Sequence, residues 1–214
     1  VNTLGPPLDN TDVSAVITST QPIIVERAMY IDVPGQVFGA GHETTALTLT
    51  YSLYLIANSP EIQDRLFREV RDVCGDREID AGMVDAMPYH EQVIKESMRL
   101  YPPVAIIDRI ANADIDLGDG VQVKKGDLAF ALVYIMHRHK LLWENPERFD
   151  PERFSEERSE GRPRFQYMPF GAGPRICIGM KFAYMEAVAI LATLVRALKF
   201  LPNPAHQVEP NIRI

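Results

Sequence analysis

The residue types best suited to chemistry gather near the C-terminus, in Phe170-Gly171-Ala172-Gly173-Pro174-Arg175-Ile176-Cys177-Ile178-Gly179. A cysteine acts as a metal ligand through its thiolate, and a helix expected to start at Cys177 or Ile178 would stabilise that anion with its free backbone N–H groups. Gly171 and Gly173 permit a tight turn beneath a flat ligand, and Phe170 is placed to shield the sulfur from water. Arg175 can pair with a carboxylate at the ligand's edge. A thiolate held this way can serve as the axial ligand of haem iron and push electron density towards it, which favours oxygen–oxygen bond cleavage. The plainer alternative is a glycine-rich loop capped by a buried cysteine.

Two further clusters carry reactive or charged groups. In Ala40-Gly41-His42-Glu43-Thr44-Thr45 the small residues Ala40 and Gly41 let a helix pass close to a planar cofactor. Glu43 beside the Thr44 hydroxyl can position water and deliver protons; otherwise a helical threonine bonds back to its own backbone. His42-Glu43 does not open a zinc helix, because residue 46 is alanine where a second histidine is required. In Glu96-Ser97-Met98-Arg99 the two charges lie on one helix face, where an exposed pair contributes about 0.2–0.5 kcal/mol. Arg109, on a strand-like piece further on, reads locally as a solvated arginine.

Together these segments resemble cytochromes P450. The Phe170–Gly179 run is similar to that family's haem-binding signature, and the resemblance makes Cys177 the proximal iron ligand. Glu96-Ser97-Met98-Arg99 followed by Leu100-Tyr101-Pro102-Pro103 resembles the family's Glu-x-x-Arg helix. Pro151-Glu152-Arg153-Phe154 resembles the meander whose arginine completes a structural triad of Glu96, Arg99 and Arg153. His137-Arg138 and Trp143-x-x-Pro146 match the approach to that meander, although His139-Lys140 stands where the family often has Asp-Pro. The 40–45 segment resembles the distal helix over the oxygen site, giving Thr44 the role of hydrogen-bonding dioxygen and Glu43 a place in the proton path. Arg109 and Arg175 become partners of the haem propionates.

The resemblance covers residues 39–214 and implies a partial P450-like fold, mainly α with a small antiparallel β region. Residues 1–34 form an irregular lead-in that does not match, and residues 35–214 correspond to the C-terminal part of the haem domain. The implied function is haem-thiolate monooxygenation of a small organic substrate. Haem b is the cofactor, with electrons coming from NAD(P)H through a separate reductase or ferredoxin. The alternatives are a truncated haem-binding remnant and a non-catalytic fragment dependent on a partner, on a missing N-terminal half or on self-association.

The elements that must position these residues follow from periodicity and breakers. A weak helix rich in threonine is expected over 35–57, then a helix capped by Ser59-Pro60-Glu61 running to about Cys74, and a third from Pro88 to the stop at Pro102-Pro103. Short β pieces between turns at Gly118-Asp119-Gly120 and Lys125-Gly126-Asp127 occupy 104–133, with a proline-punctuated meander over 134–172. A last helix runs from 177 or 178 to 198, and the apolar faces of the first and last helices call for cover.

Composition narrows the partners. The chain has 214 residues, with 22 basic against 29 acidic side chains and a net charge of −7, which argues against nucleic acid. Its two cysteines make no disulfide framework, and Cys74 reads as a buried thiol. The longest apolar run, 187–195, is too short to span a bilayer, and no signal-peptide pattern opens the chain. A soluble intracellular protein is expected, with a membrane anchor on a preceding segment left open.

Overall fold

The computed structural model describes residues 32–33, 36–37 and 41–203. The readings for residues 1–31, for Ala40 and for the ending at 211–214 lie outside the described residues.

Two short strands come first, β1 (Asp32–Val33) and β2 (Gln36–Val37), paired antiparallel with Val33 opposite Gln36. This pairing corrects the expected helix over 35–57: residues 36–37 belong to a ladder, and helix α1 runs from Gly41 to Ala57. Gly39 and Gly41 are weak helix formers, which is consistent with the later start. Within α1 the Thr48 and Ser52 hydroxyls donate to the carbonyls of Thr44 and Thr48, each at 2.8 Å, so these buried polar groups are satisfied inside the helix.

Helix α2 (Pro60–Cys74) buries Ile62, Leu66, Val70 and Cys74 along one face, the i, i+4 spacing that its sequence announces. Ser59 supplies its carbonyl to Ile62 and Gln63 but no side-chain cap, contrary to the sequence expectation, and proline at the first turn needs no N–H partner. The helix stops where Gly75 takes φ 56°. A four-residue helix, α3 (Ala81–Val84), follows, capped by Asp80 through the Met83 N–H at 3.0 Å.

Helix α4 (Pro88–Leu100) is buried nearly all round, from Tyr89 and His90 to Arg99 and Leu100. It packs against α1 and the last helix, α7 (Met180–Ala197), while α7 also covers α2. Ile56, Leu66, Val70, Val93, Ile94, Leu191 and Val195 form the shared core. Leucine, isoleucine and valine side chains of this size contribute about 1.5–3 kcal/mol each when removed from water, so this four-helix contact is the main source of order. The C-terminal half of α7 is therefore covered by this chain, while Phe182 and Met185 near its start stay exposed.

The β region consists of β3 (Ile107–Ile110) paired antiparallel with β6 (Leu128–Ala131), and β4 (Ile115–Asp116) paired with β5 (Gln122–Val123). Gly118, Asp119 and Gly120 all take positive φ in the β4–β5 turn. Beyond it lie α5 (Val133–Met136), a 3-10 turn at Pro151–Phe154, α6 (Glu156–Ser159) and a second 3-10 turn at Gly173–Arg175. The architecture is mainly α with small antiparallel sheets, as the sequence implies. Among the described residues no helix is long and apolar enough to cross a membrane.

Candidate active site

The cysteine loop is shaped by two glycines. Gly171 and Gly173 adopt φ 75° and 71°, a region that disfavours side chains. At Gly173 a Cβ would meet nothing, so the requirement there is conformational; at Gly171 it would lie 3.5 Å from Ile107 Cδ1 of β3. The Gly171 N–H donates to the Met168 carbonyl at 3.1 Å, and the Cys177 N–H donates to the Phe170 carbonyl at 3.0 Å, closing the loop on itself.

Phe170 meets Cys177 through this carbonyl bond, while its ring packs edge-on against Tyr184 of α7, with centroids 5.1 Å apart. Helix α7 starts at Met180 with Gly179 as its cap, so Cys177 precedes the helix rather than opening it. The sulfur still lies near that end, 3.9 Å from where a Gly179 Cβ would stand. The thiol is free and exposed, and Ile176, Ile178 and Phe182 beside it in sequence also face solvent.

Arg175 and Arg109 are both exposed. Alternation along β3 puts Arg109 on the same face as Ile107, the residue that meets the Gly171 side of the loop. At present its Nη1 donates to the Asp108 carbonyl at 2.7 Å. On the other helix, Gly41 opens α1, and Glu43 and Thr44 are exposed in its first turn. The contacts thus unite Phe170, Gly171 and Cys177 with the strand of Arg109, while Glu43 and Thr44 form a separate group on α1.

Behind the loop lies a buried ion network. The pair Glu96 and Arg99 is fully buried, unlike the exposed surface pair that its spacing alone suggests. Arg99 Nε and Nη2 donate to the two carboxylate oxygens at 2.7 and 2.8 Å, and Arg153 Nε donates to Oε1 at 3.3 Å. The Asp150 N–H adds a bond at 3.0 Å. Burial pushes the Glu96 carboxyl above its ordinary value, against the pull of Arg99 and Arg153. Two guanidinium groups, those of Arg99 and Arg162, each lie 5.2 Å from the centre of the Trp143 ring.

Three further residues complete the support: His137, which the sequence places in the approach to the meander without a role, and Tyr167 and Glu69, which the sequence does not single out. His137 is wholly buried, accepts the Met168 N–H on Nε2 at 3.0 Å and stacks on Tyr167 at 5.2 Å. Burial, with Arg99 beside it, pushes His137 down to about 4. The Tyr167 hydroxyl donates to the Lys95 carbonyl at 2.9 Å, and burial pushes it well above the usual phenol value. Glu69 of α2 accepts the N–H groups of Tyr89 and His90 and bonds His90 Nδ1 at 2.6 Å, capping α4 from a distance.

The sequence model of the family described as Cytochrome P450 matches residues 33–213. The chain belongs to the cytochrome P450 family. It is 42% identical over 158 residues to cytochrome P450 4V2 of Homo sapiens, covering 73% of this chain and 30% of that protein. It is 39% identical over 170 residues to probable cytochrome P450 4s3 of Drosophila melanogaster, covering 79% and 33%. With cytochrome P450 4F12 of Homo sapiens the identity is 39% over 166 residues, covering 76% and 32%. The chain therefore spans about a third of the length of these curated relatives.

Membership in the cytochrome P450 family implies haem b, and the residues present fit that group. Among the described residues no three of His, Cys, Asp and Glu gather as a metal cage; a single thiolate beneath a porphyrin needs none. The exposed Cys177 thiol on its glycine-turned loop, with solvent-facing Ile176 and Ile178 at its sides, is suited to lie under an apolar ring.

Proposed function

We propose that the complete protein is a haem-thiolate monooxygenase that inserts one oxygen atom of O2 into an organic substrate. The observation that carries this reading is the exposed Cys177 thiol, presented by a loop that Gly171 and Gly173 turn through positive φ. Cys177 Sγ would hold the iron, Phe170, Gly171 and Gly173 would contact the ring, and Arg109 and Arg175 would pair with its propionates. The small residues at 40 and 41 would allow close approach to the planar cofactor. When bound, iron protoporphyrin IX supplies the redox chemistry that activates oxygen.

The remaining work falls to side chains. The Thr44 hydroxyl holds a proton at the oxygen site, and the Glu43 carboxylate resupplies it from solvent, which its exposure permits. The buried Glu96, Arg99 and Arg153 network keeps the proximal face rigid and takes no part in proton transfer. Electrons come from NAD(P)H through a separate reductase or ferredoxin.

The solvent-facing Phe130, Ile178 and Phe182 favour a second reading for these 214 residues by themselves: a haem-binding stretch that turns over only when a partner covers that surface. Isotopically labelled O2 supplied to the complete protein with substrate and redox partner tests the main reading. One labelled atom in the product supports monooxygenation; for the 214 residues alone, haem uptake with labelled product only after a covering partner is added supports the second reading.

A further inference from the structure

We infer that His137, which the sequence marks only as part of the approach to the meander, is a positioning residue for the cysteine loop. Its ring is the acceptor that fixes the backbone where the loop begins. The bonds form one path. Glu96 holds Arg99, Arg99 Nη1 donates to the His137 carbonyl at 2.8 Å, and His137 Nε2 accepts the Met168 N–H at 3.0 Å. The Met168 carbonyl then accepts the Gly171 N–H at 3.1 Å, and the Phe170 carbonyl between them accepts the Cys177 N–H at 3.0 Å. A displacement at Met168 is therefore passed to both ends of the turn that carries the sulfur.

The chemistry at position 137 is specific. Lysine and arginine have no acceptor, and a protonated imidazole would turn a second donor against the Met168 N–H. The ring must therefore be neutral with its proton on Nδ1. That nitrogen is buried on the side of the Met98 and Arg99 backbone, short of hydrogen-bond geometry. Val133, on the preceding turn, receives the His137 N–H at 2.9 Å, and Tyr167 stacks on the ring with planes 23° apart, so the imidazole has little freedom to turn away. A ring that only filled space would need no nitrogen at the Met168 edge.

What the loop holds rests on the proposed function, whereas its positioning is measurable without haem. In the full chain, His137→Phe keeps an aromatic ring against Tyr167 and removes the acceptor. Residue-resolved hydrogen exchange is expected to show the Met168, Gly171 and Cys177 amides opening about tenfold faster, the scale of one lost hydrogen bond. Core amides of α2 and α7 should be unchanged, and His137→Gln, which restores an acceptor, should recover most of the protection. An unchanged loop, or an equal rise in α2 and α7, overturns the proposal.

Should the Phe variant not fold, nitrogen NMR of the wild-type ring decides: a proton on Nδ1 and an acceptor Nε2 support the proposal, and the reverse tautomer refutes it. In the haem-loaded complete protein, His137→Phe should also lower the fraction of reduced, carbon-monoxide-bound haem showing the thiolate absorption, with rescue by Gln. Wild-type protein that takes no haem sinks the proposed function alone; normal haem with unaltered exchange sinks the positioning role alone.

Discussion

Arg99 donates to the His137 carbonyl at 2.8 Å, and this bond joins the ion network of α4 to the segment that leads into the cysteine loop. A second bond from Arg99, to the Arg148 carbonyl at 3.2 Å, reaches the meander. Arg153, itself bonded to Glu96, donates to the Asn145 carbonyl at 2.8 Å. Two guanidinium groups on one carboxylate thus hold two stretches of chain, at His137 and at the Asn145–Arg148 turn.

Glu96→Ala should therefore be severe. It leaves Arg99, with no exposed surface, and Arg153, at 5%, without their counter-charge. Breaking a buried pair by removing one partner costs about 3–5 kcal/mol. Urea unfolding should show a loss of that size; a loss below about 1 kcal/mol, the scale of an exposed pair, would mean that the network does not hold the meander.

Glu69→Gln should loosen the start of α4. Glu69 replaces the side-chain cap that Met87 cannot provide, accepting Tyr89 and His90 N–H groups at 2.9 and 3.0 Å. Burial raises the Glu69 carboxyl, but bonds from the His90 ring and the two backbone N–H groups outweigh it, and the net shift is downward. A folded-state value below the unfolded one gives stability that is present above the ordinary carboxylate range and lost as pH falls through it. The substitution should cost about 1–2 kcal/mol at neutral pH and flatten the stability profile between about pH 5 and 3; an unchanged profile would contradict the cap.

His137 predicts a separate acid transition. Its folded value of about 4 lies below the ordinary 6.5, with burial the first cause and the Arg99 and Arg138 charges adding to it, while the Tyr167 ring facing it is neutral. The unfolded chain binds the proton first, so the contribution is complete above pH 6.5 and lost as pH falls towards 4. A shift of this size corresponds to about 3 kcal/mol. Denaturant unfolding across that window should slope less in His137→Gln than in the wild type; identical slopes would show that His137 is not the group responsible.

Thr44→Ala tests the distal group. In the complete protein it should leave haem binding intact but raise the share of electrons spent without product, because the proton held at the oxygen site is lost. Unchanged coupling of electron use to product would remove Thr44 from the proposal.

Much of this organisation was legible in local pattern. Prolines at 60 and 88 and the spacing of Leu66, Val70 and Val73 marked α2 and α4, although Val73 is only half-buried and Ile62 and Cys74 complete the covered face of α2. The cysteine loop was legible because its glycines and Cys177 are contiguous. The burial of Glu96 and Arg99 was not, since i, i+3 spacing is the same on an exposed face as on a covered one. Glu69 was silent, and His137 was legible as part of the approach to the meander but not as an acceptor, for another reason: their partners lie 21 and 31 positions away, at distances that no local periodicity encodes. The start of α1 at Gly41 was hidden because pairing of Val33 with Gln36, rather than helix propensity, decides where residues 36–37 go.

The absorption spectrum of the reduced protein under carbon monoxide, recorded for the wild type and for Cys177→Ala, tests the central claim most directly. Cys177 is exposed, so its replacement should leave the fold intact and remove only the ligand. The account predicts the band of a thiolate-ligated haem in the wild type and its loss in the variant. A wild type that takes up no haem, or a variant that keeps the thiolate band, would contradict it.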